Sequence, residues 1–257
     1  MNKKCVIVML LLATKIIVVQ ATETDSFAEH GRPVENDKTV IEGRNIYDRS
    51  CSYCHGLTGK GDGPVAFYLS REIAPRPRDF TDGVYKFRSS VSGDLPLDED
   101  LFRTITRGIN GYMPGFSSLS ATARWKLVYY IKSLYPEFND IEPEVIKQVG
   151  KPLPATAISI RKGYEVFQQF KCWECHGRDG RGNGEKAADL KDDWGFRLPP
   201  QDLTRMDAFK NGREPVDLYR SIMTGFDGSA MPAYGDFFAG SEDDLWHLIN
   251  YIRSLSE

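Results

Sequence analysis

Apolar positions along this chain fall at helical spacing. Leu248, Ile249, Ile252 and Leu255 form one stripe near the carboxyl end, and Leu127, Val128, Ile131 and Leu134 form a matching stripe near the middle. The two stripes predict helices that start near Ser120 and Ser241, the latter with Asp244 three residues on. A further helix is predicted from about Asp98 to Arg107, ending at Gly108; its counterpart begins with Pro215 in the first turn and ends at Gly225. A third kind opens each half, with Thr39 and Ser159 as N-caps and Glu42 completing a capping box in the first. Few stretches alternate as strands, and the Gly- and Pro-rich stretches between are loops. The pattern predicts an all-α fold.

The helices come in pairs because the sequence repeats. Gly43-Arg44-Asn45-Ile46-Tyr47 matches Gly163-Tyr164-Glu165-Val166-Phe167. Asp100-Leu101-Phe102-Arg103 matches Asp217-Leu218-Tyr219-Arg220, and the run from Trp125 to Ile131 matches that from Trp246 to Ile252. Repeats of about 100 residues are large enough to fold as domains. The organisation is then 39–136 for the first domain, 137–155 for a Pro-rich linker, and 156–257 for the second domain. Residues 22–38 are read as a flexible acidic segment.

The first 21 residues differ from the rest. Lys3 and Lys4 precede the apolar runs Val6 to Ala13 and Ile16 to Val19, and Val19-Gln20-Ala21 offers a small-residue cleavage site. That is the layout of an export signal, 1–21, which directs the chain to the periplasm or an equivalent compartment. Retention as an anchor is the alternative. No run reaches the roughly 18 apolar residues of a membrane span, so no stable span is expected after cleavage. The chain has a formal net charge of −3. The first repeat carries thirteen bases against ten acids and the second thirteen against seventeen, with no basic run that suggests nucleic acid. The sign difference suggests an acidic partner facing Arg76, Arg78, Lys86 and Arg88 of the first repeat.

Four cysteines remain after cleavage, and in an exported protein the default is two disulfides. Their spacing argues otherwise. They fall as Cys51-Ser52-Tyr53-Cys54-His55 and Cys172-Trp173-Glu174-Cys175-His176. Each is Cys-x-x-Cys followed directly by His, the signature of c-type haem attachment. Two thiols tether the ring through its vinyl groups, and the adjacent histidine supplies a nitrogen to the iron. A four-cysteine zinc site or thioredoxin-type redox pairs leave both trailing histidines unexplained. Two covalently attached haems are therefore expected. A Gly-rich stretch follows each motif, Gly56 to Gly63 and Gly177 to Gly184.

Each iron needs a second axial ligand if it only carries electrons. The chain has four histidines. His55 and His176 are used, His30 precedes the first repeat, and His247 aligns with Lys126, which places it on the solvent face of its helix. Met113 and Met231 both precede proline, follow the middle helix and occupy equivalent repeat positions. A thioether suits haem iron and raises its potential relative to bis-histidine ligation. The expected pairs are His55 with Met113 and His176 with Met231.

Each half resembles the class I cytochrome c family, and the whole resembles two-haem, two-domain cytochromes of bacterial respiratory chains. The resemblance rests on the entering helix, Cys-x-x-Cys-His, the Gly-rich loop, Met-Pro and the closing aromatic helix. It implies two tandem helical domains, each wrapped around one haem, with Trp125, Tyr130, Trp246 and Tyr251 packed near the cofactors. It also implies a proline carbonyl against each proximal histidine, from Pro75 or Pro77 and from Pro199 or Pro200. Arg76, Arg78, Lys86, Arg88, Arg197 and Lys210 lie in loops that could reach haem propionates. The function implied is single-electron transfer between a redox donor and an acceptor, not catalysis. The alternatives are an electron-transfer subunit of a larger oxidoreductase complex and a two-haem peroxidase, which needs an open iron that two methionines do not leave.

Overall fold

The computed structural model describes residues 31–68, 70–71, 75–147 and 150–256. Residues 1–21, read as an export signal, and His30 lie outside them. In the first half, α1 (Asp37–Ser50) leads into a one-turn α2 (Ser52–His55), followed by α3 (Asp98–Arg107) and α4 (Ala121–Ser133). The second half repeats this as α5 (Ala157–Gln169), α6 (Trp173–His176), α7 (Pro215–Thr224) and α9 (Glu242–Ser254), with a short α8 (Gly235–Phe238) before the last. No strand forms among the described residues beyond isolated bridges. The architecture is two tandem all-α domains, as the repeat implies.

In each half the first and last long helices cross at a glycine. A Cβ on Gly43 would lie 1.9 Å from the Lys126 carbonyl oxygen of α4, and one on Gly163 would lie 2.0 Å from the His247 oxygen of α9. Only glycine lets the backbones meet this closely. Around the crossings, Tyr47 packs edge-on to Tyr130 at 5.0 Å and Phe167 to Tyr251 at 5.2 Å. Trp125 stacks on Phe102 and Trp246 on Tyr219, both tryptophans buried. Gly163→Ala should push α5 from α9 and cost about 1–3 kcal/mol, the usual penalty of overpacking. Urea unfolding of the holoprotein measures it, with Gly43→Ala expected to behave alike in the first half.

Three expectations change here. The entering helices begin three residues earlier than Thr39 and Ser159. Asn36 caps α1, accepting from the Thr39 amide while Thr39 Oγ1 accepts from the Asn36 amide, and Thr156 accepts from the Ser159 amide. Thr39 and Ser159 are thus the third residues of their helices. His247 is half-buried rather than on a solvent face, because its Nδ1 bonds Ser159 Oγ at 2.8 Å across the crossing. The segment read as flexible is anchored from Gly31 onward. Arg32 pairs with Asp98 and Glu99 and lies 4.3 Å over the Trp125 ring, and Tyr129 donates to the Pro33 carbonyl.

The halves are docked by ionic contacts, each with one buried partner. Arg88, fully buried, donates to the Thr224 carbonyl and to Asp227, each at 2.8 Å. Asp227 also accepts from Ser92 Oγ and the Gly93 amide. Arg107 reaches both oxygens of Asp217 at 3.1 Å, and Phe87 meets Phe226 edge-on at 5.8 Å. The linker lies along the first half, with Val91 donating to the Glu144 carbonyl and Ile146 to that of Ser89. The acidic partner expected for Arg88 is therefore Asp227 of the same chain. Arg88 and Arg107 thus spend their charges on holding the halves together.

Two equivalent Cys-x-x-Cys-His sites

The two motifs fold alike. Cys51 and Cys172 sit at the N-termini of α2 and α6, and each accepts from the amide of its own histidine, His55 and His176, at 2.9 Å. The Gly-rich loops then turn back beneath the motif. The Gly61 amide donates to the His55 carbonyl at 2.9 Å and that of Gly182 to the His176 carbonyl at 2.7 Å. Gly63 and Gly184 lie so close to the motif that an added Cβ would come within 2.4 Å of the Tyr53 oxygen and 2.2 Å of the Glu174 oxygen. This explains the repeated glycines: the loop is backbone packed on backbone.

Each histidine is held by one backbone carbonyl. His55 Nδ1 lies 3.2 Å from the Arg78 oxygen and His176 Nδ1 3.0 Å from the Gln201 oxygen. With a carbonyl as acceptor, Nδ1 must carry the proton, which leaves the Nε2 lone pair for a metal. The expected proline carbonyl is thus corrected: the acceptor is the residue after Pro77 and after Pro200. Burial pushes both imidazoles below their ordinary pKa, against the carbonyl bond, which raises it. That direction favours the neutral ring that ligation requires.

The four cysteines are free of disulfides. Burial pushes Cys51 and Cys172 up to about 12. The two pairs belong to separate halves, and no group of three or more His, Cys, Asp or Glu among the described residues could hold a metal ion by itself. The zinc alternative fails on that placement.

In the second half Cys172, Cys175, His176 and Met231 line one cavity of about 220 Å³. Its walls are mostly apolar: Phe167 from α5 and Phe170 at its C-cap, Leu218 and Ile222 from α7, Leu248 and Ile252 from α9. A flat hydrophobic ring tethered at Cys172 and Cys175 fits these walls, so the donor set and the lining suit a haem. Trp246 and Tyr251 are core residues and do not line it. Two lining residues, Lys86 and Phe87, come from the first half, which the sequence repeat could not reveal.

In the first half, Phe80 stacks on the His55 ring at 4.6 Å and Tyr85 on Phe80 at 6.2 Å. Met113 lines a shallow hollow of its own loop, Arg107 to Gly115. The loop is folded as its counterpart is. Ile109 donates to the Met113 carbonyl and Phe226 to that of Met231, and Phe116 and Tyr234 donate back to Ile105 of α3 and Ile222 of α7. Of the six loop cations, Lys86 and Lys210 line the second cavity, Arg76 lies 4.2 Å over the Phe67 ring, and Arg78 lies 5.3 Å over that of Trp194. Arg88 is spent on the interface, and Arg197 does not line the cavity.

A helix-borne Cys-x-x-Cys-His, a histidine aimed by a carbonyl and a glycine-crossed helix pair define each half as a c-type cytochrome domain. The family model described as "Cytochrome C oxidase, cbb3-type, subunit III" matches residues 38–131 and again 159–252. The chain belongs to that family, as a tandem pair of its domains carrying two c-type haems. It is similar to a solved chain of the "Kuenenia stuttgartiensis reducing HAO-like protein complex Kustc0457/Kustc0458", at 39% identity and a TM-score of 0.77, over 84% of this chain and 96% of that one. A search of curated proteins gives no match. The protein is a two-haem electron-transfer cytochrome.

Proposed function

We propose that this cytochrome passes single electrons as the carrier subunit of a larger redox assembly, with His55 and Met113 as axial ligands in the first half and His176 and Met231 in the second. The observation that carries the ligand set is the shared cavity of Cys172, Cys175, His176 and Met231. The equivalent folding of the Met113 loop extends it to the first half. When bound, each haem supplies an iron that exchanges one electron between its ferric and ferrous states. The chain's residues do the rest: cysteines tether, histidine Nδ1–H bonds to Arg78 and Gln201 fix the rings, and apolar walls exclude water. Two filled axial positions disfavour the peroxidase alternative.

The similar chain comes from a complex described as HAO-like and reducing. That similarity supports a stable redox partner for this chain, which would serve as donor or acceptor. The amino-terminal layout of residues 1–21 supports an extracytoplasmic location. No helix among the described residues is long and apolar enough to cross a membrane.

Met231→Ala tests the ligand set. The second haem should bind carbon monoxide and its potential should fall, while the first stays nearly unchanged; Met113→Ala should do the reverse. Wild-type protein that takes up carbon monoxide readily would overturn His/Met ligation at both irons.

A further inference from the structure

We propose that the first domain completes the second haem's site, Lys86 reaching across the interface to hold, together with Lys210, the propionate carboxylates of the haem tethered by Cys172 and Cys175. The inference rests on the reading of that cavity as a haem site.

Lys86 and Lys210 both line the cavity. Neither has a carboxylate within ion-pair distance among the described residues. Lys210 instead lies 4.5 Å over the ring of Tyr112, a first-half residue. Arg78 lies in the same region: its guanidinium is over Trp194, its Nη1 is buried with no hydrogen-bond partner, and its charge opposes that of Lys86. Asp192 and Asp193 offer a weak counter-field, and Asp192 is already bonded to Arg71. Burial, with Arg78 and Lys210 close by, pushes Lys86 down to about 8. Three half-buried cations at one cavity, two of them without a carboxylate in ion-pair contact, are costly unless an anion joins them. The anionic part of the group that this cavity suits is a pair of carboxylates, and charge-assisted bonds from ammonium to carboxylate are among the stronger hydrogen bonds.

The arrangement is built rather than incidental. Lys86 is held between Tyr85, stacked on Phe80 beside His55, and Phe87, packed on Phe226 of the second half. Two residues on, Arg88 is fixed by Thr224 and Asp227. The segment 78–88 thus runs from the carbonyl that holds His55 to the wall of the other cavity.

The test is potentiometric titration of the full two-haem chain. A cation beside a propionate favours the reduced haem, which carries one less positive charge. Lys86→Gln and Lys210→Gln should each lower the same one of the two midpoints and move the other less, with two covalent haems retained, and Lys86→Arg should restore most of the shift. The chain with Cys172 and Cys175 both changed to Ser identifies the first haem's midpoint, and Lys86→Gln in that background should leave it nearly in place. A shift there as large as in the two-haem chain would assign Lys86 to the first haem and overturn the proposal. So would midpoints unmoved by either lysine, or a lysine effect present in phosphate buffer and lost in chloride, which would mark a site for a free anion. Failure of the haem-site reading shows separately, as a wild-type chain with fewer than two covalent haems.

Discussion

Changing both Cys172 and Cys175 to Ser should leave a chain with one covalent haem in place of two. The pyridine haemochrome count should fall by half, and haem-stained denaturing gels should keep a band of half intensity at the full-length position. The reason lies in the placement of the thiols. Each pair brackets one turn of helix, α2 or α6, in its own half. Neither pair can serve the other's ring. Changing Cys51 and Cys54 should give the same count with the other haem retained. Retention of two haems, or loss of both to acid acetone, would defeat the assignment of one attachment site per half.

The second large effect is expected at Asp227→Ala. That side chain is mostly covered and takes three donors: Arg88 Nη2 at 2.8 Å, Ser92 Oγ at 2.7 Å and the Gly93 amide at 2.9 Å. Removing it leaves the fully buried Arg88 guanidinium with only the carbonyls of Tyr85, Val91 and Thr224. Breaking a buried ion pair on one side costs about 3–5 kcal/mol, because the other charge stays out of water. Asp227→Asn keeps an acceptor and should cost less. Calorimetry of the holoprotein should show a lower melting temperature for Asp227→Ala and two separated transitions, as the halves lose their docking. A single transition at the wild-type temperature would mean that Arg88 finds water or another acid.

The sequence carried the fold because each of its strong signals has a local cause. Gly43 and Gly163 mark the crossings, Gly108 and Gly225 stop their helices, and the apolar stripes of α4 and α9 fall where the cores are. The attachment motifs were equally plain, since cysteine and histidine at fixed spacing serve few chemistries. What escaped was set by groups that leave little trace in residue identity. The carbonyls that aim His55 and His176 come from Arg78 and Gln201, and any residue has a carbonyl. The N-caps shifted because Asn36 and Thr39 are both good caps three residues apart, and only the backbone shows which bonds which. Arg88 was read as a loop cation facing an outside partner, and it is buried at the interface instead. Burial of a cation depends on a partner more than 130 residues away, which no periodicity encodes. His247 was misplaced for the same reason, its partner being Ser159 on another helix.

Around Glu144 and Ile146 the linker is not a free tether. Its backbone is bonded to residues 89–91 through Glu144 and Ile146, and Asp94 accepts from the Glu144 amide at 2.7 Å. The connection is a splint, and together with Arg88 and Arg107 it makes the separation of the two attachment sites a constant of the fold. Exchange of an electron between haems held there would be unimolecular and would involve no orientational search. Solvent viscosity acts only on the encounter with an outside partner, so the two steps of a transfer through this protein belong to different kinetic regimes.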